Sequence, residues 1–295
     1  MKRIYFFIFL QLGLLNAQDL PTAKWENINY AGDNEVHHMM DIYLPDQGSK
    51  IFPVVITVYG SAWLANDKKG SKYIKKSLIQ PLLNSGFAVV SINHRSSTDA
   101  IFPAQIHDVK AAIRFIRANT KQYQFDSSFI GITGSSSGGH LSAMAGTTSF
   151  NKEMEGEVGP HLEFESHVDA VVDWFGPTDF LIMDLCGSKL VHDDVKSPES
   201  KLIGGAIQEN KAKARAANPM TYINDKTPPF LIIHGMVDLT VPYCQSKTFK
   251  MALDAAKVEN RLISIRDGAH GRNVFKKEIQ EEMVSFFEDK LNNTK

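Results

Sequence analysis

The chain reads as an α/β protein built on a mainly parallel central sheet flanked by helices, and three features carry that expectation. Extended segments rich in β-branched and aromatic residues alternate with segments of helical period, as repeated βαβ units require. Several extended segments, Val54-Val55-Ile56-Thr57-Val58 among them, are apolar on both faces, which suits a parallel strand covered by helices on each side. Two long interruptions, 148–166 and 176–227, break the rhythm. Ligands of an open parallel sheet bind at the carboxyl ends of its strands, so insertions there are natural pocket walls.

Taken in order, the first segment is an address. Lys2 and Arg3 precede the apolar run Ile4 to Leu15, broken only by Gln11 and Gly13 and followed by Asn16 and Ala17. This pattern predicts a signal peptide over 1–17, cleaved near Ala17, and a secreted or periplasmic product. A membrane anchor would need about 20 apolar residues, and this run is shorter. The remainder, 18–295, is expected to form one domain, with 176–227 as a small cap-like insertion.

Strands are expected at Met39 to Leu44, Pro53 to Tyr59, Phe87 to Asn93, Phe129 to Thr133, Val168 to Phe175, Pro229 to His234 and Arg261 to Arg266. Helical periods lie at Ser71 to Leu83, Gln105 to Asn119, Ser137 to Gly146, Cys244 to Ala256 and Asn273 to Leu291. The second of these puts Ile106, Val109, Ala112, Ile113 and Ile116 on one stripe while Lys110, Arg114 and Arg117 face elsewhere.

Composition excludes several classes. The 295 residues are 43% hydrophobic and 22% charged, ordinary for a globular chain and unlike a disordered or collagen-like one. Lys+Arg 32 against Asp+Glu 33 leaves a net charge of -1 with no basic stripe, so nucleic acid is not an expected partner. No later segment suits stable membrane insertion, and the oligomeric state is not legible. Cys186 and Cys244 could form a disulfide in an oxidising compartment or remain free thiols; spacing leaves both readings open.

The chemistry concentrates in Gly134-Ser135-Ser136-Ser137-Gly138-Gly139-His140. Only Ser136 of the three serines has glycine two places before and two places after it. A nucleophile on a sharp strand-to-helix turn needs those glycines, because side chains there would collide with the neighbouring strand and helix. Serine also needs a base and an acid to orient that base, and in this arrangement they follow in the order acid, then histidine. Of ten histidines, His270 lies just after the last expected strand, among the small residues Gly268, Ala269 and Gly271. Asp238 stands three residues beyond the expected strand ending in His234-Gly235, one strand ahead of His270; Asp179 and Asp267 are its rivals. For the oxyanion hole, the amide of Ser137 and those of Ser61 and Ala62 in Tyr59-Gly60-Ser61-Ala62-Trp63 are the expected donors. Trp63 could wall the acyl site, stack on a sugar ring or simply pack in the core.

These motifs together resemble the secreted α/β-hydrolase esterases related to hormone-sensitive lipase, above all the small feruloyl-esterase and acetylxylan-esterase-like (BD-FAE-type) enzymes. The likeness runs from about Met40 to Phe287. It rests on Gly60-Ser61-Ala62-Trp63 with Asn66-Asp67-Lys68, Asn93-His94-Arg95, Phe102-Pro103-Ala104 with Asp108, the Ser136 turn, Phe175-Gly176-Pro177-Thr178-Asp179, His234-Gly235 with Asp238 and Val241-Pro242, and Gly268-Ala269-His270-Gly271. It implies an α/β-hydrolase fold and serine carboxylic-ester hydrolysis without a metal or other cofactor. The substrate it implies is an ester or acylated carbohydrate, with acetyl or feruloyl groups on plant polysaccharide favoured. A general short-chain carboxylesterase, a peptidase or formamidase with the same triad, and a weakly catalytic glycan-binding protein are the alternatives. One departure stands out: the family usually has histidine where this chain has Tyr59, and that histidine organises the oxyanion loop.

His161-Leu162-Glu163-Phe164-Glu165-Ser166-His167, if extended, would place two histidines and two glutamates on one face, a pattern able to bind metal. A solvated edge is the plainer expectation, since no His-Glu-x-x-His or distant ligand accompanies it.

Overall fold

A computed structural model describes residues 20–46 and 50–293. The expected signal peptide lies outside the described residues. Eight strands form one sheet: β1 (Trp25–Asn29), β2 (Met39–Tyr43), β3 (Phe52–Val58), β4 (Ala88–Ile92), β5 (Phe125–Ser135), β6 (Ala170–Trp174), β7 (Phe230–Gly235) and β8 (Asn260–Ile265). Their spatial order is β1-β2-β4-β3-β5-β6-β7-β8. β2 runs antiparallel to β1 and β4, and every pairing from β4 through β3 to β8 is parallel.

The two-faced apolar pattern of β3 has the expected cause. Val54, Ile56 and Val58 enter one core with Ile106, Leu141 and Phe249. Val55 enters a second core with Leu78, Leu82, Phe129 and Phe287. The first core is covered by α3 (Ala104–Ala118), α5 (Ser137–Thr147) and α8 (Cys244–Ala255); the second lies beneath α1 (Lys72–Ile74), α2 (Gln80–Asn84) and α9 (Lys277–Asn293). A one-turn helix α4 (Thr120–Tyr123) leads into β5.

All seven expected strands and five expected helical segments are present, with four informative differences. The first is β1, which the sequence does not announce: Trp-Glu-Asn-Ile-Asn is poor in β-branched residues, and a register shift with Asn27 at φ 55° bends it. The second is a π turn, Lys75–Ile79, between α1 and α2. Pro81 has no N–H to continue the ladder, and Gln80 N–H reaches back to Lys75 O instead. The third is the start of α9 at Lys277, since Asn273 takes a left-handed conformation, φ 60°. The fourth concerns the polar side of α3. Lys110 and Arg114 are buried, and both bind Glu155 from the 148–166 segment, which folds over them.

The 176–227 excursion carries a helical turn at Phe180–Cys186, α6 (Pro198–Ile203), α7 (Lys211–Ala216) and two further short turns. Phe180, Met183, Leu202, Ile207, Ala214 and Ala217 anchor it in the first core. Cys186 and Cys244 are disulfide-bonded, with their Cα atoms 6.1 Å apart, which tethers the excursion to the start of α8. Among the described residues no helix is long and apolar enough to cross a membrane.

Candidate active site

At the carboxyl end of β5 the chain turns straight into α5 through Ser136, whose backbone has φ 56° and ψ -123°. That conformation is costly for a side-chain-bearing residue and persists only where the surroundings enforce it. Here Ser136 N–H donates to Trp174 O at 2.8 Å, while Ser136 O accepts the His140 N–H. The flanking glycines are needed for space: a Cβ at Gly134 would lie 2.4 Å from Gly138 O, and one at Gly138 only 2.2 Å from Val58 O. Neighbouring Gly139 leaves room for Asp173, whose buried carboxyl accepts the Gly176 N–H and is pushed up to about 7 by desolvation.

Two further loops meet this turn. The one after β7 brings Asp238, and the one after β8 brings His270. They abut at Gly235 and Gly268, where a Cβ on Gly235 would strike the Gly268 backbone at 2.3 Å. Val237 N–H donates to Gly268 O, so the acid and base loops share a hydrogen bond. His270 Nε2 lies 3.0 Å from Ser136 Oγ and His270 Nδ1 lies 2.8 Å from Asp238 Oδ2. Nδ1–H therefore donates to the carboxylate and Nε2 is left to accept the serine proton, the tautomer a general base requires.

The Asp238 carboxylate is fully seated. Its Oδ1 accepts the amides of Thr240 and Val241 at 2.8 and 3.0 Å. His234 Nε2, which donates to Val241 O, stands 3.5 Å from Oδ2. Burial alone would raise this carboxyl, but the contacts with His234 and His270 outweigh it and hold the group well below the usual carboxylate range. The ring of Phe175 packs edge-on to His270 at 4.9 Å and limits its swing.

Asp179 instead caps the turn that follows it by accepting Leu181 N–H, and Asp267 reaches Asn273 and Lys276. Neither rival touches His270. His234 is a residue whose part the sequence reading missed; the signal was its place four residues before Asp238.

The expected oxyanion donors are also gathered, with one adjustment. Ser61 N–H is engaged, donating to Ser137 Oγ at 2.9 Å. Ala62, Ser136 and Ser137 line a cavity of about 490 Å³. Ala62 and Trp63 both have left-handed backbones, φ 53° and 56°, which turns this loop around the mouth of the cavity. Ser61 thus ties the two sides together, and Ala62 and Ser137, which both line the cavity, remain the candidate amides for the oxyanion. Tyr59 holds this loop from within: its hydroxyl donates to Ala65 O at 3.1 Å and its ring stacks on His94.

Trp63 walls the cavity but offers no open ring face, being 1% exposed and packed edge-on to His140 and Phe180. The 161–167 segment is a turn rather than an extended strand. Its histidines diverge, His161 to Phe115 and Asn119, His167 to Phe150 and Glu165. Among the described residues no cluster of three His, Cys, Asp or Glu suits a metal ion.

A mainly parallel eight-stranded sheet with a serine on its strand-to-helix turn, an acid after β7 and a histidine after β8 defines an α/β-hydrolase. Comparison with known proteins carries the assignment further. The BD-FAE family model matches residues 40–253, and the chain belongs to that family. It is 32% identical to Esterase LipQ of Mycobacterium tuberculosis over 252 residues, 82% of this chain and 56% of that protein. The chain spans about half the length of the curated relatives it matches. Among solved structures, a bifunctional GH43-CE protein of Bacteroides eggerthii is 48% identical with a TM-score of 0.85, covering 90% of this chain and 35% of that one. A truncated carbohydrate esterase from gut microbiota is 44% identical with a TM-score of 0.88, covering 94% of this chain and 99% of that one.

Proposed function

We propose that this protein is an exported serine esterase that removes acetyl or feruloyl groups from plant polysaccharide or its oligosaccharides. The observation that carries the reading is the continuous hydrogen-bonded relay Ser136–His270–Asp238 at the edge of a cavity. His270 takes the proton of Ser136 as its oxygen attacks the ester carbonyl; the amides of Ala62 and Ser137 receive the tetrahedral oxyanion. The protonated His270 then delivers its proton to the departing alcohol, and water repeats the sequence on the acyl-enzyme. Asp238, held ionised, keeps the imidazole in the accepting tautomer and offsets its charge when protonated.

The carbohydrate substrate is supported by the 44% identical structure named as a carbohydrate esterase. Export is supported by the apolar run Ile4 to Leu15 behind Lys2 and Arg3, and by the disulfide, which persists in an oxidising compartment. The purified protein is expected to release acetate from acetylated xylan or ferulate from feruloylated xylan, and Ser136→Ala to lower the rate by about 10³-fold or more. Release of neither acid, or a Ser136→Ala rate equal to wild type, would contradict the reading.

A further inference from the structure

The cavity beside Ser136 has a second polar feature, formed by residues 188–199 of the excursion. Glu199 and His192 both line the cavity, yet they are only 4% and 2% exposed. Burying a carboxylate is expensive unless its oxygens are engaged, so the partners of this one matter. His192 Nδ1 lies 3.2 Å from Glu199 Oε2, near enough to share charge but out of line for a good hydrogen bond. Glu199 Oε2 is buried without a hydrogen-bond partner among the described residues.

The imidazole is firmly placed from the other side. His192 Nε2 lies 2.9 Å from Ser188 Oγ, which in turn donates to Leu239 O in the Asp238 loop. The amides of His192 and Asp193 both donate to the Asp184 carboxylate. Burial works against a proton on this histidine, but contact with Glu199 and the charge of Asp184 outweigh it and raise its affinity above the ordinary value. Glu199 thus stands in the cavity wall beside an anchored imidazole, with acceptor capacity to spare. Leu190, Val191, Pro177 and Val241 make the cavity's apolar walls; Lys196, Ser197 and Thr240 also line it, and His192 is the side chain that pairs with the Glu199 carboxylate.

Resting on the ester-hydrolase reading above, we propose that Glu199 is a specificity-determining residue, seated by His192, that accepts a hydrogen bond from a hydroxyl group of the substrate. That hydroxyl has two chemical sources, the sugar ring of the alcohol portion or the phenol of an aromatic acyl group. Two matched ester pairs separate them. The first is a mono-acetylated methyl xyloside against cyclohexyl acetate, and the second is methyl ferulate against its phenol O-methyl ether.

For Glu199→Ala, kcat/KM should fall about 10- to 100-fold more for the hydroxyl-bearing member of one pair than for its partner, mostly through KM. Glu199→Gln keeps an acceptor oxygen and the side-chain shape, so it should retain part of the discrimination and exclude misfolding as the cause. The pair in which the gap opens names the source. Equal losses on all four esters, or no loss on any, would overturn the proposal while leaving the ester-hydrolase reading intact. A folded wild-type protein inactive on all four would instead contradict the ester-hydrolase reading and this proposal with it.

Discussion

The turn at 134–139 and the wall at 188–199 face the same cavity but are built by opposite means. At the turn, geometry is dictated locally: Gly134, Gly138 and the left-handed Ser136 allow one close approach of β5, α5 and β3. In the wall, local turns such as Ser197 N–H to Asp194 O are held in place by contacts from elsewhere. Its position depends on a disulfide to α8, on Leu239 O accepting from both Ser188 and Lys189, and on Asp184 capturing two amides. A part fixed by backbone sterics has little tolerance for change, whereas a part fixed by dispersed contacts can vary. That division suits a hydrolase whose chemistry stays constant while its substrate differs.

The contrast breaks most sharply at Gly138. A methyl group there would meet backbone oxygens of Val58 and Tyr59 at 2.2 and 2.6 Å, neither of which is a flexible side-chain end. Gly138→Ala should cost about 4 kcal/mol or more in a denaturant titration and abolish turnover. If it were well tolerated, steric control of the turn would be mistaken.

A smaller effect is expected in the wall. Cys186 and Cys244 close a loop with a sequence separation of 58, and removing such a link typically costs about 2–4 kcal/mol. Cys186→Ser with Cys244→Ser should lower the unfolding midpoint accordingly and raise KM by several-fold while leaving kcat within about twofold, because no group of the relay is moved. A fall in kcat comparable with that in the Gly138→Ala protein would show that wall and turn are not separable.

The same division explains what could be read from the sequence. Parallel strands buried on both faces announce themselves as apolar runs, so β3 to β7 were legible; antiparallel β2 and the partly exposed edge strand β8 were legible from their residue types, and the turn from glycines that have a steric reason. Ser136, Asp238 and His270 follow from strand ends and chain order, and they meet as expected. β1 was not legible because its edge position asks little of its side chains. Residues 148–166 read from sequence only as an interruption because their partners, Lys110 and Arg114, lie 38 to 56 residues away on α3. His192 and Glu199 likewise carry no periodic pattern, and Tyr59 reads from sequence only as a departure from the usual histidine, whereas its hydroxyl bond to Ala65 O shows how the loop is held.

One hydroxyl among three adjacent serines, that of Ser136, is expected to be the reactive one. The direct measurement is the rate and site of phosphonylation by a fluorophosphonate probe, read by intact mass and peptide mapping in the wild type and in His270→Ala. One adduct on Ser136, formed about 10³-fold more slowly without His270, is the predicted result. No adduct, or one on Ser135 or Ser137 at a rate indifferent to His270, would contradict it.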